Sequence, residues 1–136
     1  MTYGTVGTSW NNIIFGIDVN GSGIPIGNIS NGSNYSNASF STAIKDNVWH
    51  HLAFVYKSGT MTCYMDGVLK NTYTTSYIPA FNSCTVFSIG GNSSELFKNG
   101  DSMNDIRLYN HALSAKEVAE IAKGLVLHYP LNENGG

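Results

Sequence analysis

Residues Val48–Leu69 decide the fold class, and they read VWHHLAFVYKSGTMTCYMDGVL. Leu52, Phe54 and Tyr56 alternate with their neighbours, which is the two-residue period of a strand in a sheet. The pair Asp66–Gly67 lies between two such runs and predicts a hairpin, because a type I′ turn needs positive φ at both central residues. The stretch therefore predicts three short antiparallel strands.

The rest of the chain predicts further strands and one helix. The predicted strands are Ile13–Ile17, Ile24–Ile29, Ser39–Ile44, Val68–Thr75, Val86–Ile89, Met103–Tyr109 and Leu125–Leu131. Ser114 and Glu117 have the spacing of a capping box, which predicts a helix at Ala115–Ala122 that Gly124 ends. Many short strands with one short helix indicate an all-β protein, an antiparallel two-sheet sandwich with a short C-terminal helix.

The composition limits the classes of partner. With 136 residues, 42% of them hydrophobic, the chain can bury the core of one domain. Only 12% of the residues are charged and the net charge is −2, with Lys and Arg scattered along the chain. We therefore expect no nucleic acid and no membrane insertion, since a basic surface and an apolar run of roughly 20 residues are both missing from the sequence. The N-terminal residues have no signal-peptide pattern.

Several residues with reactive or aromatic side chains are expected to be structural. Cys63 lies between two methionines on a strand and is predicted in the core, although a disulfide with Cys84 stays open. Trp49 is also predicted in the core, from its place within the strand block that begins at Val48. His50 and His51 are adjacent and point to opposite faces, so they cannot bind one metal ion together.

Three blocks resemble the concanavalin A-like lectin/glucanase domains of the laminin G-like type. Trp49–Ala53, with Gly59-Thr60 and Tyr64–Leu69 after it, is similar to the core hairpin of that family. Met103–Val118 is similar to its closing strand and short helix, and Ile89–Gly91 lies between in the family's order. The resemblance implies two antiparallel sheets packed as a jelly-roll-like sandwich.

The resemblance departs from the family at the ends of the chain. Members usually open with a Gly-Leu-Val-x-x-Tyr-Pro-Leu strand, and here a similar strand comes last, at Gly124–Leu131. We therefore expect a sandwich over residues 1–123 that lacks its usual first strands. Residues 124–136 are expected to form a terminal strand that either completes this sandwich or begins a following repeat.

Oxygen-bearing side chains form two clusters late in the chain. Asp101, Asn104 and Asp105 form the first, and Asn132 begins the second. The resemblance implies that these segments lie near each other and hold a structural calcium ion, which prefers oxygen ligands. Asn104 replaces an aspartate of the family's pattern, which weakens the expected binding. The alternative is that these side chains hydrogen-bond to turn backbone.

Three aromatic residues and one amide are candidates for binding a ligand. Trp10, Tyr35 and Tyr77 lie in polar, loop-like segments, and Asn34 precedes Tyr35. Such residues suit sugars, because the ring stacks on the sugar while amides bond its hydroxyls. The alternative for each aromatic is that it covers the edge of the core or a subunit contact.

The sequence predicts a binding protein rather than an enzyme. Glycoside hydrolysis needs two carboxylates at a set separation, and no strand carries the alternating carboxylates of the related glucanases. The resemblance implies a non-catalytic carbohydrate-binding or adhesion module of a surface or secreted protein, with a glycan as partner. Two alternatives stay open: a phage virion protein of the tail, fibre or head, and an accessory domain of a secreted glycosidase. The expected location is extracellular, at the cell surface or on a virion, where a homo-oligomer or larger assembly is also expected.

Overall fold

The computed structural model describes residues 2–4, 13–44, 47–81, 86–89 and 102–124, which form two antiparallel sheets and one helix. The strands are β1 (Thr2–Gly4), β2 (Ile13–Val19), β3 (Pro25–Ser30), β4 (Tyr35–Ser39), β5 (Leu52–Lys57), β6 (Thr60–Met65), β7 (Val68–Thr74) and β8 (Val86–Ser88), and the helix is α1 (Ala115–Ala122). One sheet has the order β4-β3-β2-β1-β8 and the other the order β5-β6-β7. The predicted all-β, two-sheet architecture with one short helix is confirmed.

Both hairpins of the three-stranded sheet turn through two residues with positive φ. The angle φ is 47° at Ser58 and 82° at Gly59, and it is 54° at Asp66 and 75° at Gly67. Glycine adopts such angles without steric cost, and aspartate tolerates them better than most residues. The turn predicted at Asp66–Gly67 is confirmed, and the turn at Ser58–Gly59 has the same signs of φ.

The hydrophobic core lies between the two sheets. Its fully buried members are Ile29, Ala38, Phe40, Met61, Cys63 and Met65. The rings of Phe15 on β2 and Phe54 on β5 stack across the core with their centroids 5.1 Å apart. Gly27 on β3 faces the same ring, and a side chain there would collide with it. The two sheets therefore approach closely where a phenylalanine meets a glycine.

The thiol of Cys63 lies in this core, as predicted. Its Sγ donates a hydrogen bond of 3.5 Å to the carbonyl oxygen of Ala38, which joins the two sheets. Burial raises the pKa of Cys63 to about 12, so the thiol stays protonated at neutral pH. Cys63 is a free cysteine and takes part in no disulfide, and Cys84 lies outside the described residues.

Helix α1 has the ends that the sequence predicts. The Ser114 hydroxyl accepts the amide of Glu117 at 3.3 Å, and the Glu117 carboxylate accepts the amide of Ser114 at 2.7 Å. Gly124 has a φ of 69° and donates its amide to the carbonyl of Ile121 at 3.0 Å. Within the described ranges, no helix has the length and apolar character needed to cross a membrane.

Helix α1 packs on the three-stranded sheet, on the face away from the core. Val118 is fully buried. A Cβ at Gly67 would lie 3.1 Å from the Cα of Ala119 and 3.1 Å from the Cβ of Ala122, so the helix touches the β6–β7 turn. This turn is thus fixed from one side by the helix.

The strand predicted at Ser39–Ile44 is wrong, because the observed strand β4 lies earlier, at Tyr35–Ser39. Ser41 has a φ of 60°, which is incompatible with an extended strand, and its amide donates to the Ser39 hydroxyl at 3.0 Å. A local turn therefore ends β4. The other strands predicted within the described ranges lie within about two residues of the observed bounds, except the one that follows.

The strand predicted at Met103–Tyr109 is also wrong, because residues 102–110 form neither strand nor helix. Asp105 has a φ of 52°, which interrupts an extended chain. Its carboxylate binds the guanidinium of Arg107, two residues later, through Nε at 2.8 Å and a terminal nitrogen at 2.7 Å. The positive φ at Asp105 and this short-range ion pair together describe a local turn rather than a strand.

Trp49 is not in the core, and the prediction that it is buried is wrong. Its side chain is 68% exposed. Strand β5 begins only at Leu52, which is the first residue of this stretch to pack against the core. Asn47 has a φ of 62°, so the chain bends just before Trp49. Trp49 therefore precedes the region that the facing sheet covers.

The predicted terminal strand, Leu125–Leu131, lies outside the described residues. The domain division at residue 124 therefore stays a prediction.

The contact between Gly27 and Phe54 can be tested by Gly27→Ala. The added Cβ would lie 2.8 Å from Cγ of Phe54, and overpacking of this kind costs about 1–3 kcal/mol of the free energy of unfolding. Gly21→Ala is the matched control, since Gly21 is exposed and nothing lies within 4 Å of its Cβ position. Chemical denaturation measures both variants, and equal stability of the two would contradict the close approach of the sheets.

Candidate functional site

An exposed polar strip runs along β4, at the edge of the five-stranded sheet. Tyr35 and Asn37 point away from the core, because side chains alternate along a strand and Ala38 is buried between the sheets. Tyr35 is 43% exposed, and Asn34 just before it is exposed as well. We call Asn34, Tyr35 and Asn37 the β4 strip. Two of the predicted ligand-binding residues, Asn34 and Tyr35, which are neighbours in the sequence, are thus both exposed at this edge of the sheet.

The loop before this strip is held by its own side chains. Asn31 Oδ1 accepts the amides of Ser33 at 3.0 Å and Asn34 at 2.7 Å. The Ser30 hydroxyl accepts the amide of Gly32 at 2.9 Å. Such side-chain-to-backbone bonds fix an exposed loop without burying it. The loop therefore presents Asn34 in a defined position.

The side-chain polar groups of the β4 strip are available to a ligand. Within the part of the chain that the structure describes, the side-chain amides of Asn34 and Asn37 and the hydroxyl of Tyr35 form no hydrogen bond. An amide offers two donors and an acceptor, and a tyrosine offers an aromatic face as well as a hydroxyl. The strip therefore combines a stacking surface with hydrogen-bonding groups.

Tyr77 lies beside β4 but does not belong to its exposed face. Its amide donates to the Thr75 hydroxyl at 3.1 Å, and Thr75 is 2.8 Å from the Ser36 hydroxyl on β4. Its carbonyl accepts the Tyr56 hydroxyl at 3.2 Å. Tyr77 is half-buried and is fixed by these backbone bonds, which tie the edges of the two sheets together.

Asn28 lies next to the β4 strip and was missed by sequence reasoning. It pairs with Asn37 across β3 and β4 and points to the same side of the sheet. Asn28 is 1% exposed, and its amide nitrogen donates to the carbonyl of Ile26 at 3.2 Å. Its Oδ1 has no partner in the described ranges. The sequence could have indicated this pair, because the alternation of side chains along β3 and β4 places Asn28 and Asn37 on the same face once β4 is assigned to Tyr35–Ser39.

Two of the predicted calcium ligands, Asn104 and Asp105, can be assessed, and the side-chain oxygens of both already accept hydrogen bonds. Asp105 binds Arg107 with both carboxylate oxygens, and Asn104 Oδ1 accepts the amide of Asp105 at 2.9 Å. The bond from Asn104 to the backbone agrees with the alternative given above, in which these side chains hydrogen-bond to turn backbone. Among the described residues, no group of three or more acidic, histidine or cysteine side chains is placed to hold a metal ion. The arrangement at Asp105 suits a guanidinium, and calcium would have to displace it.

Three predicted site residues lie outside the described residues: Trp10, Asp101 and Asn132.

His50 and His51 hold the β6–β7 turn. Nδ1 of His50 lies 2.9 Å from Oδ2 of Asp66, and the amide of His51 donates to Oδ1 of the same residue at 2.9 Å. Burial by itself raises the pKa of Asp66, but the hydrogen bonds from both histidines and the nearby charges of His50 and Lys70 outweigh it and lower that pKa. Asp66 therefore remains charged at neutral pH, and its carboxylate links the β6–β7 turn to His50 and His51.

The His51 ring is a buried group of a different kind. Burial lowers its pKa from the ordinary value of 6.5, and the charge of Arg107 lowers it further, against the opposite effect of Asp66 and Asp105. Its Nδ1 is buried without a partner in the described part of the chain. The ring therefore favours the neutral state.

Comparison with known protein families identifies the family of this chain. The family model described as the concanavalin A-like lectin/glucanases superfamily matches residues 2–119. No curated protein matches the chain at a significant level. Among solved structures, the chain is similar to an S-layer domain-containing protein from Clostridium thermocellum ATCC 27405, with 20% identity and a TM-score of 0.48. The match covers 79% of this chain and 55% of that one, so this chain spans about half the length of that structure.

The lowered pKa of His51 predicts a loss of stability in mild acid. The unfolded chain binds a proton at His51 below about pH 6.5 more readily than the folded chain does, so the free energy of unfolding falls as the pH drops through this window. His51→Gln removes this contribution, so its stability should fall less than that of the wild type between about pH 7.5 and about pH 5. His111→Gln is the control, because His111 is exposed. If the free energy of unfolding of the wild type and of His51→Gln falls equally with pH, the lowered pKa of His51 is contradicted.

The predicted calcium site has a direct test in thermal melting. An ion that binds only the folded chain stabilises it by mass action, so added calcium would raise the melting temperature and EGTA would reverse the rise. Magnesium is the control, since its smaller size suits a different cage. An unchanged melting temperature in calcium and in EGTA would contradict the calcium prediction.

Proposed function

Because the chain belongs to the concanavalin A-like lectin/glucanases superfamily, we propose that it is a non-catalytic module that binds glycans through the β4 strip. The observation that carries the proposal is the exposed Tyr35 ring beside the exposed Asn37 on the outer face of β4, with the exposed Asn34 just before it; their side-chain polar groups have no partner in the described part of the chain. A sugar ring has an apolar face for the tyrosine and hydroxyls for the amides.

The setting of the strip supports this proposal. The loop that carries Asn34 is fixed by Asn31, and β4 is tied to the neighbouring connection through Ser36 and Thr75. A site whose groups are held before binding loses little conformational freedom when the ligand arrives. The strip carries no charged side chain, which favours a neutral glycan.

The absence of catalysis is part of the proposal. Each carboxylate in the described ranges already has a local partner: Asp18 binds the amide of Val19, Asp66 binds His50, Asp105 binds Arg107, Glu117 binds Ser114 and Glu120 binds Lys123. Glycoside hydrolysis needs two carboxylates that face a common substrate. Carboxylates committed to a cap, a turn or an ion pair do not support that role.

We also infer that the module acts outside the cell, at a surface or as part of a secreted protein. Polysaccharides are the ligands to which a strip of this kind is suited. A composition with 12% charged residues, in which Asn and Ser supply much of the polar surface, agrees with this inference.

The proposal is tested by measuring the binding of the whole chain to an array of neutral polysaccharides and then comparing variants. Tyr35→Ala should weaken the binding of the best ligand by about ten-fold, as expected for the loss of one stacking aromatic. Asn37→Ala should weaken it as well, because it removes an amide on the same face. Neither change should lower the melting temperature strongly, since both side chains are exposed.

Tyr109→Ala is the matched control, because Tyr109 is also an exposed tyrosine but lies outside the strip. It should bind like the wild type. Failure of the wild type to retain any glycan, or equal binding by Tyr35→Ala and the wild type, would contradict the proposal.

A further inference from the structure

A cleft of about 420 Å³ opens on the outer face of the three-stranded sheet, beside the start of α1. The helix has eight residues and spans about 12 Å, whereas the six-residue strands β5 and β6 span about 20 Å. The helix lies near the β6–β7 turn and leaves the other end of these strands uncovered. The volume is within the range of about 300–1,000 Å³ that small-molecule sites occupy.

The floor of the cleft comes from residues that point away from the core. Val55 pairs with Thr62, and Lys57 pairs with Thr60. Tyr64 lies further along β6, and Leu113 forms part of the wall ahead of the helix. The cleft thus places the hydroxyl-bearing side chains of β6 beside the apolar Val55 and Leu113.

The polar groups of the floor lack protein partners. Within the described ranges, the hydroxyls of Thr60, Thr62 and Tyr64 form no hydrogen bond and the ammonium of Lys57 forms no ion pair. Elsewhere in the structure comparable hydroxyls bond to each other, as those of Ser36 and Thr75 do at 2.8 Å. Unused donors that share a cleft with an apolar wall are what a ligand site requires.

We propose that this cleft binds an acidic sugar, with the carboxylate on Lys57 and the ring hydroxyls on Thr60 and Thr62. Lys57 is the one cationic side chain among the residues that line the cleft. The C–H face of the sugar ring would lie against Val55 and Leu113. This site is separate from the β4 strip and does not depend on it.

The remaining charge of the cleft fixes the orientation of such a ligand. Glu117 lines the cleft from the helix, whereas Lys57 lines it from β5, and Oε2 of Glu117 accepts both the amide and the hydroxyl of Ser114 at 2.7 Å. Like charges repel, so the carboxylate of the sugar must lie at Lys57, while Glu117 can accept from a sugar hydroxyl. A neutral sugar would fit the same walls but would leave Lys57 without a partner.

The test is an NMR titration of the whole chain with methyl glucuronide and, separately, with methyl glucoside. The glucuronide should shift the amide signals of residues 55–62 and 112–117, and it should bind more tightly than the glucoside. Lys57→Gln should weaken the glucuronide about two- to five-fold, as expected for one exposed charge pair. Thr62→Val removes a hydroxyl while keeping the shape of the side chain, and it should weaken both sugars.

Lys70→Gln is the matched control, because it removes an exposed lysine from β7 rather than from the cleft. It should leave the titration unchanged, and so should Tyr35→Ala. Equal binding of the two sugars, an unaffected Lys57→Gln variant, signal shifts confined to the β4 strip, or no shift at all would each overturn the proposal. Lys57→Gln should in turn leave polysaccharide binding at the strip unchanged, so the two proposals fail separately.

Discussion

The contact of the Phe54 ring with the backbone of Gly27 sets the distance between the two sheets, and much of the structure depends on that distance. With no side chain at Gly27, the ring enters the opposite sheet and stacks on Phe15. The sheets are then close enough for the thiol of Cys63 to reach the carbonyl of Ala38 on β4. This bond helps to hold β4 against the core, so its alternate residues face solvent as the β4 strip.

Side chains that bond to nearby backbone explain how a chain with so few charges keeps ordered loops. Asn20 Oδ1 accepts the amides of Ser22 and Ile24, both at 3.0 Å, and Asn31 closes the loop before β4 in the same way. Each such bond satisfies a backbone group that would otherwise need water. Among the described residues, the side-chain polar groups left without a hydrogen bond include those of the β4 strip and those of the cleft beside the helix.

Local chemistry made much of the fold predictable from the sequence. The Asp66–Gly67 turn and the capping box of Ser114 and Glu117 depend on residues close in sequence, and both were placed correctly. β4 was misplaced because its residues, YSNAS, are small and polar, and only pairing with β3 makes them a strand. Trp49 was misplaced because the end of the facing sheet, rather than the local pattern, decides its exposure.

The candidate sites were less predictable than the fold. Asn34 and Tyr35 were identified from residue type alone, but Asn37 and Asn28 required the true register of β4. The cleft was not predicted at all, because it results from the difference in length between a helix and the strands beneath it. The sequence predicts the length of each element but does not show which strands the helix packs on or where along them it lies.

The charge of these two surfaces has a consequence for the conditions in which each would act. The β4 strip holds amides and a phenol, so dissolved ions have little to screen there. The cleft relies on Lys57, whose exposed charge is attenuated beyond a Debye length of about 8 Å in physiological salt. Added salt would therefore weaken binding in the cleft by at most about the two- to five-fold that one exposed charge pair contributes, while binding at the β4 strip would change little.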